Sequence, residues 1–441
     1  MSSHLIAEIA SRVWGLKDRD YSPLLAGNAK KELALDRDSL DKLILTRIKA
    51  IIKHAHKTSL YYSKVFADHD ISPEDIKSLD DIKPFPCLTR DILREKLPEL
   101  ASGGAISSVW RKSATGGTTS SPVTFYCDEK ALWQKNAFTK AIDSWYGRNT
   151  GDQVAYLWGA SQDIANVTTL GMRLRNISYQ HSLMLPSAPL DDHILAAHYK
   201  KLSQWRPSFI QAYPTPLYEL CLYMQKNSLQ LPTLKAVSVT AETLYPHHRK
   251  LMEETFGLRL YNWYGSRELG RVASECEYHN GMHINEPSVF VEIEPDPSLP
   301  DGCGHLIITD LWNRAVPFIR YRTGDMARFM TEECPCGRSL KKIELLEGRV
   351  TELIILRDGK KIRYTNKLNC NEIKEIQIVQ KSYEDFLVRF VKGSGFSTAS
   401  LPDFTKTFNS VVGETMRIAF EEVLEIPRER SGKVRLIVSE L

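Results

Sequence analysis

Residues 209–265 read FIQAYPTPLYELCLYMQKNSLQLPTLKAVSVTAETLYPHHRKLMEETFGLRLYNWYG. Three short apolar runs, FIQAYP, LKAVSVT and LRLYNWYG, are each closed by Gly, Pro or polar residues. Between them lie PTPLYELCLYMQKN and PHHRKLMEETFG, whose apolar residues recur at helical spacing. VAYLWG, upstream at 154–159, is a further run of the same kind. Short strands alternating with helices predict an α/β body with a parallel or mixed sheet. Downstream, VFVEIEP, GHLIITDL and RYRTGDMARF follow one another without long helices, which predicts an antiparallel or barrel-like subregion.

The flanks differ from this centre. Residues 1 to about 100 carry charged and apolar positions at helical spacing, as in DRDSLDKLILTRIKAIIKHAHK and DILREKLPEL. Near residue 348, after EGRV, the pattern changes to TELIILRDGKKIRY, EIKEIQIVQKSYEDFLVRFV, a helical FTKTFNSVVGETM, then RIAFEEVLEI and KVRLIVSEL. This β-rich stretch is long enough for a small α+β domain. The expected division is therefore a large unit, 1–348, and a small one, 349–441.

The chain has 441 residues, 42% hydrophobic and 25% charged, with a net charge of +4. That is globular composition, long enough for more than one folded unit, and too weakly basic for a nucleic-acid binder. No run of about 18 apolar residues is present to span a membrane. The N-terminal MSSHLIAEIASRVWGLKDRD carries Glu8 and Arg12 where a signal peptide needs an apolar core. Its Leu5, Ile6, Ile9, Val13 and Leu16 instead predict an amphipathic helix. The eight cysteines have no disulfide-framework spacing, which fits a reducing cytoplasm.

The most informative local feature is Ser113-Ala114-Thr115-Gly116-Gly117-Thr118-Thr119-Ser120-Ser121-Pro122. Its backbone N–H groups and hydroxyls, with little side-chain bulk, suit phosphate oxygens at close range. The composition alone equally suits a flexible linker, and the spacing is not that of a Walker loop. Lys112 either adds a charge there or points to solvent. Four more motifs follow in order: Tyr264-Gly265-Ser266-Arg267-Glu268, Arg320-Tyr321-Arg322-Thr323-Gly324-Asp325, Gly348-Arg349, and Pro427-Arg428-Glu429-Arg430-Ser431-Gly432-Lys433. Asp325 is suited to accept hydrogen bonds from sugar hydroxyls, Glu268 to bind Mg²⁺, and Lys433 to stabilise developing negative charge.

As an ordered set, these motifs resemble the adenylate-forming enzyme superfamily, which includes acyl-CoA synthetases and peptide-synthetase adenylation domains. More narrowly, the chain is similar to the phenylacetate–CoA ligase branch and its capsule-biosynthesis relatives. The resemblance implies a large adenylation domain followed by a mobile lid pivoting near Gly348-Arg349. It implies that Ser113, Thr115, Gly116, Gly117, Thr118 and Thr119 wrap the ATP phosphates. Ala241 and Glu242 would line the adenine pocket, Tyr264 and Gly265 would stack on the base, and Glu268 would hold Mg²⁺. Asp325 would bind the ribose, Arg349 would lie near it, and Lys433 would be the adenylation lysine. The chain departs from the pattern at Ser120, Val123 and Thr351, and Arg267 replaces the usual hydroxyl residue. Arg267 either reaches the α-phosphate or substrate carboxylate or forms a surface ion pair.

Cys276-x2-His279-x3-His283 and Cys334-Pro335-Cys336-Gly337 supply thiols and imidazoles in two clusters. They suit a structural Zn²⁺ site built from Cys276, Cys334, Cys336 and either His279 or His283. The alternative is reduced surface cysteines beside an incidental histidine pair. Trp158, Tyr213, Pro214, Tyr261 and Trp263 are candidates to line an acid pocket.

The reaction implied by the resemblance joins a carboxylic acid to AMP, using ATP and Mg²⁺, then passes the acyl group to coenzyme A. An amine acceptor, on a sugar or an amino acid, is the alternative. A non-catalytic scaffold would have lost Lys433, Asp325 or Glu268, and all three are present. A zinc-dependent nucleic-acid binder would need a basic stripe near the Cys/His cluster, and none is visible. The sequence leaves monomer and homodimer open.

Overall fold

The computed structural model describes residues 20–114, 123–158, 181–187, 190–299, 301–345, 354–358, 361–362, 373–393, 396–413, 416–426 and 436–441. The expected helix over residues 5–16, Thr115 to Thr119 of the phosphate loop, Gly348-Arg349 and Lys433 lie outside these.

The first part of the chain is helical: α1 (Ser22–Glu32), α2 (Arg37–Thr58), α3 (Leu60–Asp68), α4 (Arg90–Glu95) and α5 (Leu97–Leu100). In α2 the carboxylate of Asp36 accepts a hydrogen bond from the Ser39 N–H, satisfying one orphan donor of the first turn. Leu40, Ile44, Ile48, Ile51, Ile52 and Ala55 then fall on one buried stripe. Each of its large side chains contributes roughly 1.5–3 kcal/mol by leaving water. A two-stranded ladder, β1 (Arg111–Ala114) and β2 (Thr124–Cys127), flanks the hydroxyl-rich loop. Helix α6 (Glu129–Asp143) follows, capped by Asp128, and carries Lys135 and Asp143 on its buried face.

Among the described residues the centre is one sheet of eleven strands. β3 (Val154–Leu157), β4 (Ser182–Leu185), β5 (Phe209–Ala212), β6 (Ala236–Thr240) and β7 (Leu260–Ser266) run parallel. Helices α7 (Asp192–Trp205), α8 (Pro214–Lys226) and α9 (Pro246–Phe256) lie between successive strands from β4 to β7. Parallel strands need such crossovers, and every residue of β5 and β6 is buried in consequence. The antiparallel half comprises β8 (Gly270–Glu275), β9 (Met282–Ile284), β10 (Val289–Pro295), β11 (Cys303–Asp310), β12 (Tyr321–Met330) and β13 (Lys342–Leu345). It joins the parallel half through the β7–β8 hairpin. Across the sheet the order is β10-β11-β12-β13-β9-β8-β7-β6-β5-β3-β4. The expected barrel-like subregion is this antiparallel half, which continues the same sheet.

Beyond residue 353 lie β14 (Ile354–Ile355), β15 (Lys361–Ile362), β16 (Ile373–Gln380), β17 (Asp385–Lys392), α10 (Ser400–Val412), β18 (Arg417–Glu422) and β19 (Ile437–Ser439). They form a four-stranded sheet, β18-β17-β16-β19, and the small pair β14–β15. Their apolar residues, among them Ile378, Val388, Phe404, Phe408 and Ile437, make a core cluster of their own. Among the described residues no helix is long and apolar enough to cross a membrane.

Candidate functional site

The C-terminal ends of the parallel strands converge, as is usual for ligand sites on open α/β sheets. At the end of β5, Tyr213 caps α8. At the end of β6, Ala241 turns the chain with φ +71°. Glu242 follows, and its Oε2 accepts a hydrogen bond of 2.9 Å from the Thr215 N–H in the first turn of α8. A carboxylate there also opposes the positive end of the helix dipole.

β7 carries the motif Tyr264-Gly265-Ser266. The register of its pairing with β8 shifts between Tyr264 and Gly265. Gly265 is required: a Cβ there would sit 2.2 Å from the Gly270 carbonyl oxygen. The resulting tight hairpin exposes Arg267 and buries Glu268. The backbone carbonyl of Glu268 accepts a 2.7 Å hydrogen bond from Lys135 Nζ. Its Oε1 accepts a 3.4 Å contact from the Tyr321 hydroxyl. Burial, with Glu268 adjacent, pushes that hydroxyl well above the usual phenol range, so it remains a donor.

Strand β12 delivers the second motif. Gly324 has φ +85°, and Thr323 Oγ1 both donates to the Leu306 carbonyl and accepts from the Asp325 N–H. The turn aims Asp325 at β7, where its Oδ2 accepts a 2.6 Å hydrogen bond from the Tyr264 hydroxyl. Arg90 of α4 contacts the Tyr321 hydroxyl at 3.4 Å and the Thr323 carbonyl at 3.2 Å. Burial works against its charge, yet Tyr321, Glu268 and Asp325 hold its pKa above the ordinary value. The structure thus brings Tyr264, Glu268 and Asp325 together beside Ala241 and Glu242. Ser113 lies on β1, at the start of the hydroxyl-rich loop.

Arg90 and Lys135 were not singled out by the sequence. Lys135 is nearly inaccessible and spans α6, the Glu268 turn and Asp310 Oδ2, the last at 2.5 Å. The faint signal for it is its place on the apolar side of an amphipathic helix.

Three of the aromatic candidates also meet. Trp158 lies 4.7 Å from Tyr213 and 6.4 Å from Trp263, ring centre to ring centre. Tyr261 packs instead on Tyr146 and His279.

The Cys/His residues gather on the antiparallel half. One donor atom each from Cys276, His283, Cys334 and Cys336 lies within 4.8 Å of every other. Cys276 Sγ is 3.5 Å from Cys334 Sγ, and Cys336 Sγ is 3.2 Å from His283 Nε2. Tetrahedral zinc with bonds of about 2.3 Å to sulfur and about 2.0 Å to nitrogen needs edges near these lengths. Gly337, at φ +71° and donating to the Cys334 carbonyl, makes the turn that aims both sulfurs inward. His283 Nδ1 faces the Leu340 carbonyl at 3.3 Å, which directs Nε2 to the sulfurs. His279 does not join them. Its Nδ1 lies 3.2 Å from Glu275 Oε2 and its ring packs on Tyr261, because positive φ at His279 turns it away at the Cys276 turn.

Residues 356–440 match the CapK C-terminal domain family. A phenylacetate–coenzyme A ligase of Aromatoleum evansii is 28% identical over 332 residues, covering 73% of each chain. The crystal structure of a 2-hydroxyisobutyryl-CoA ligase in the postadenylation state, with R3-HIB-AMP, superposes with a TM-score of 0.71 at 20% identity. That match covers 92% of this chain and 91% of the other. The amide bond synthetase McbA of Marinactinospora thermotolerans matches at TM-score 0.51 and 18% identity, over 73% of this chain and 67% of its own. The chain is thus a homologue of the phenylacetate–CoA ligases over about three quarters of its length, shares the fold of adenylate-forming CoA ligases, and carries a CapK C-terminal domain over residues 356–440.

Proposed function

We propose that the chain activates a carboxylic acid with ATP and transfers the acyl group to coenzyme A. The observation that carries this reading is the 2.6 Å hydrogen bond from Tyr264 to Asp325, 61 residues apart. It holds the Tyr264 motif, at the end of parallel β7, against the Asp325 motif on β12, the two that this reading assigns to the base and the ribose. In the first step a substrate carboxylate oxygen attacks the α-phosphorus. The bond to the β-phosphate oxygen breaks, and pyrophosphate leaves. The protein's work is to align the carboxylate and neutralise charge. Asp325 would hold the ribose, Tyr264 would lie against the base, and Glu268 would hold Mg²⁺, which would supply positive charge against the phosphates. Lys135 positions Glu268 by holding its carbonyl. The loop from Ser113 to Thr119 binds the terminal phosphates, and Arg267 meets the α-phosphate or the substrate carboxylate.

Residues 349–441 act as the lid that carries Lys433 to the reacting oxygens and then withdraws it. Arg349 is assigned a part in binding the ribose by the same motif resemblance. The thiol of coenzyme A then attacks the acyl carbonyl, and AMP departs. Structural zinc would be held by Cys276, His283, Cys334 and Cys336, where it would tie the β8–β9 turn to the segment before β13. The likeness to an amide synthetase supports an amine acceptor as the second reading.

Acid-dependent ATP–pyrophosphate exchange over a panel of acids tests the proposal. Exchange is expected with at least one acid and is lost in Lys433→Ala. Product formation that requires coenzyme A selects the thioester reading, and formation with an amine alone selects the other. Absence of exchange with every acid overturns both. Metal analysis of the purified protein is expected to give one zinc per chain, lost in Cys334→Ser.

A further inference from the structure

Beneath the aromatic rings at the strand ends, one face of the sheet is polar. Thr240, Trp263 and Ser274 stand directly opposite one another on β6, β7 and β8. Residues paired this way project from the same face, with Cβ atoms about 5 Å apart. Among the described residues, Thr240 Oγ1, Trp263 Nε1 and Ser274 Oγ are buried without a hydrogen-bond partner. Arg271, just past the register shift, places its guanidinium 4.5 Å from the Trp263 ring centre. Its side chain is only 2% exposed, and its Nε and Nη2 are likewise without partners. Five orphaned buried polar atoms in one patch are unusual, since each such group costs about 1–3 kcal/mol.

The local charge is also unbalanced. Asp143 accepts from Arg271 Nη1 at 2.7 Å and pairs with Arg148 at 2.9 Å. The Tyr146 hydroxyl also donates to Asp143, and Arg148 reaches the Tyr156 hydroxyl at 2.9 Å. Two guanidiniums, the buried one of Arg271 and the partly exposed one of Arg148, therefore share one carboxylate, leaving one positive charge in excess. All five orphaned atoms are able to donate. Trp263 belongs both to this patch and to the ring group with Trp158 and Tyr213.

We propose that the acid activated by this chain carries a second anionic group, a carboxylate, at the end remote from the reacting one. Arg271 receives it, and the Trp263 N–H with the Thr240 and Ser274 hydroxyls completes its shell. The inference rests on the acid-activating reading above and names its substrate class. It makes Arg271 a specificity residue. A plain aryl or alkyl acid would leave the guanidinium buried and unmatched.

The test is acid-dependent exchange with matched pairs: hexanoate against adipate, and phenylacetate against 4-carboxyphenylacetate. The diacid of at least one pair is expected to exceed its monoacid in kcat/KM by about tenfold or more, the scale of a hydrogen bond to a charged group. In Arg271→Gln the diacid-to-monoacid ratio is expected to collapse toward one. Asp143 keeps Arg148 in that variant, so the buried pair stays neutral. The ratio is read within one protein sample, so partial unfolding does not move it. Should Arg271→Gln fail to fold, Trp263→Phe keeps a ring and removes the N–H, and its ratio is expected to fall several-fold. Monoacids matching or exceeding diacids in the wild type overturn the inference, as does a ratio unmoved by either variant. Absence of exchange with all four acids instead counts against the acid-activating reading itself.

Discussion

Helix α6 holds two buried ionic groups that differ in kind. Lys135, near its middle, meets Asp310 one to one, and its ammonium also donates to the Glu268 carbonyl. The remaining Asp310 oxygen accepts from the Trp312 and Asn313 N–H groups. That group is neutral and closed. Asp143, two turns on, faces two guanidiniums and a hydroxyl, with donors of Arg271 left over. The first arrangement is what a brace needs, since a buried pair is tolerable only when its partners match. The second retains capacity for something that the chain does not itself supply.

Breaking the closed group should have the largest effect. Lys135→Met strands Asp310 without its cation and is expected to destabilise the protein by about 3–5 kcal/mol in urea unfolding. A loss below about 1 kcal/mol would remove the distinction between the groups. Asp143→Asn keeps an acceptor for both arginines and removes the charge, so about 2 kcal/mol is expected, on the scale of an under-satisfied buried group. A loss equal to that of Lys135→Met would mean that both groups are purely structural.

A third titratable group, largely buried, sharpens the contrast, because among the described residues it has no counter-ion. His248 stacks on Tyr218 at 4.2 Å, and burial, aided by His247, pushes its pKa down to about 3. Its native value lies below the unfolded one, so the unfolded chain binds the proton first. Its contribution is complete above about pH 6.5 and declines as pH falls toward 3, by at most about 1.4 kcal/mol per pH unit. Thermal melts over this range should show the slope in the wild type and lose it in His248→Gln. The smallest effect belongs to Tyr264→Phe, which removes one hydrogen bond to Asp325. About 1 kcal/mol of stability is expected, together with a raised KM for ATP in exchange assays. An unchanged KM would detach the Tyr264–Asp325 contact from the nucleotide.

What could be read from the sequence follows from range. FIQA, AVSVT and LYNWYG declare themselves as strands because an apolar run closed by Gly, Pro or polar residues is a local signal. Tyr264, Glu268 and Asp325 stood out because they sit in short motifs. Arg271 and Asp143 did not. An arginine after a hairpin and an aspartate ending a helix read as surface residues until long-range pairing buries them together. The histidine of the Cys/His cluster was open for the same reason. Spacing admits His279 or His283, and only the pairing of His283 with Lys342 on β13 aims it at the sulfurs. Arg90 reaches Thr323 from 233 residues away, and no local pattern encodes such a contact.

The place of β13 has a consequence for how the chain is made. It is the last strand of the large sheet in the chain, yet it lies inside, between β12 and β9. Until residue 345 has left the ribosome, β9 and β12 both present unpaired edges, and the sheet exists as two separate pieces. Arrival of four residues, Lys342 to Leu345, welds them. Nascent chains stalled just short of this strand should be the ones most prone to aggregate, because two open edges template pairing with neighbours.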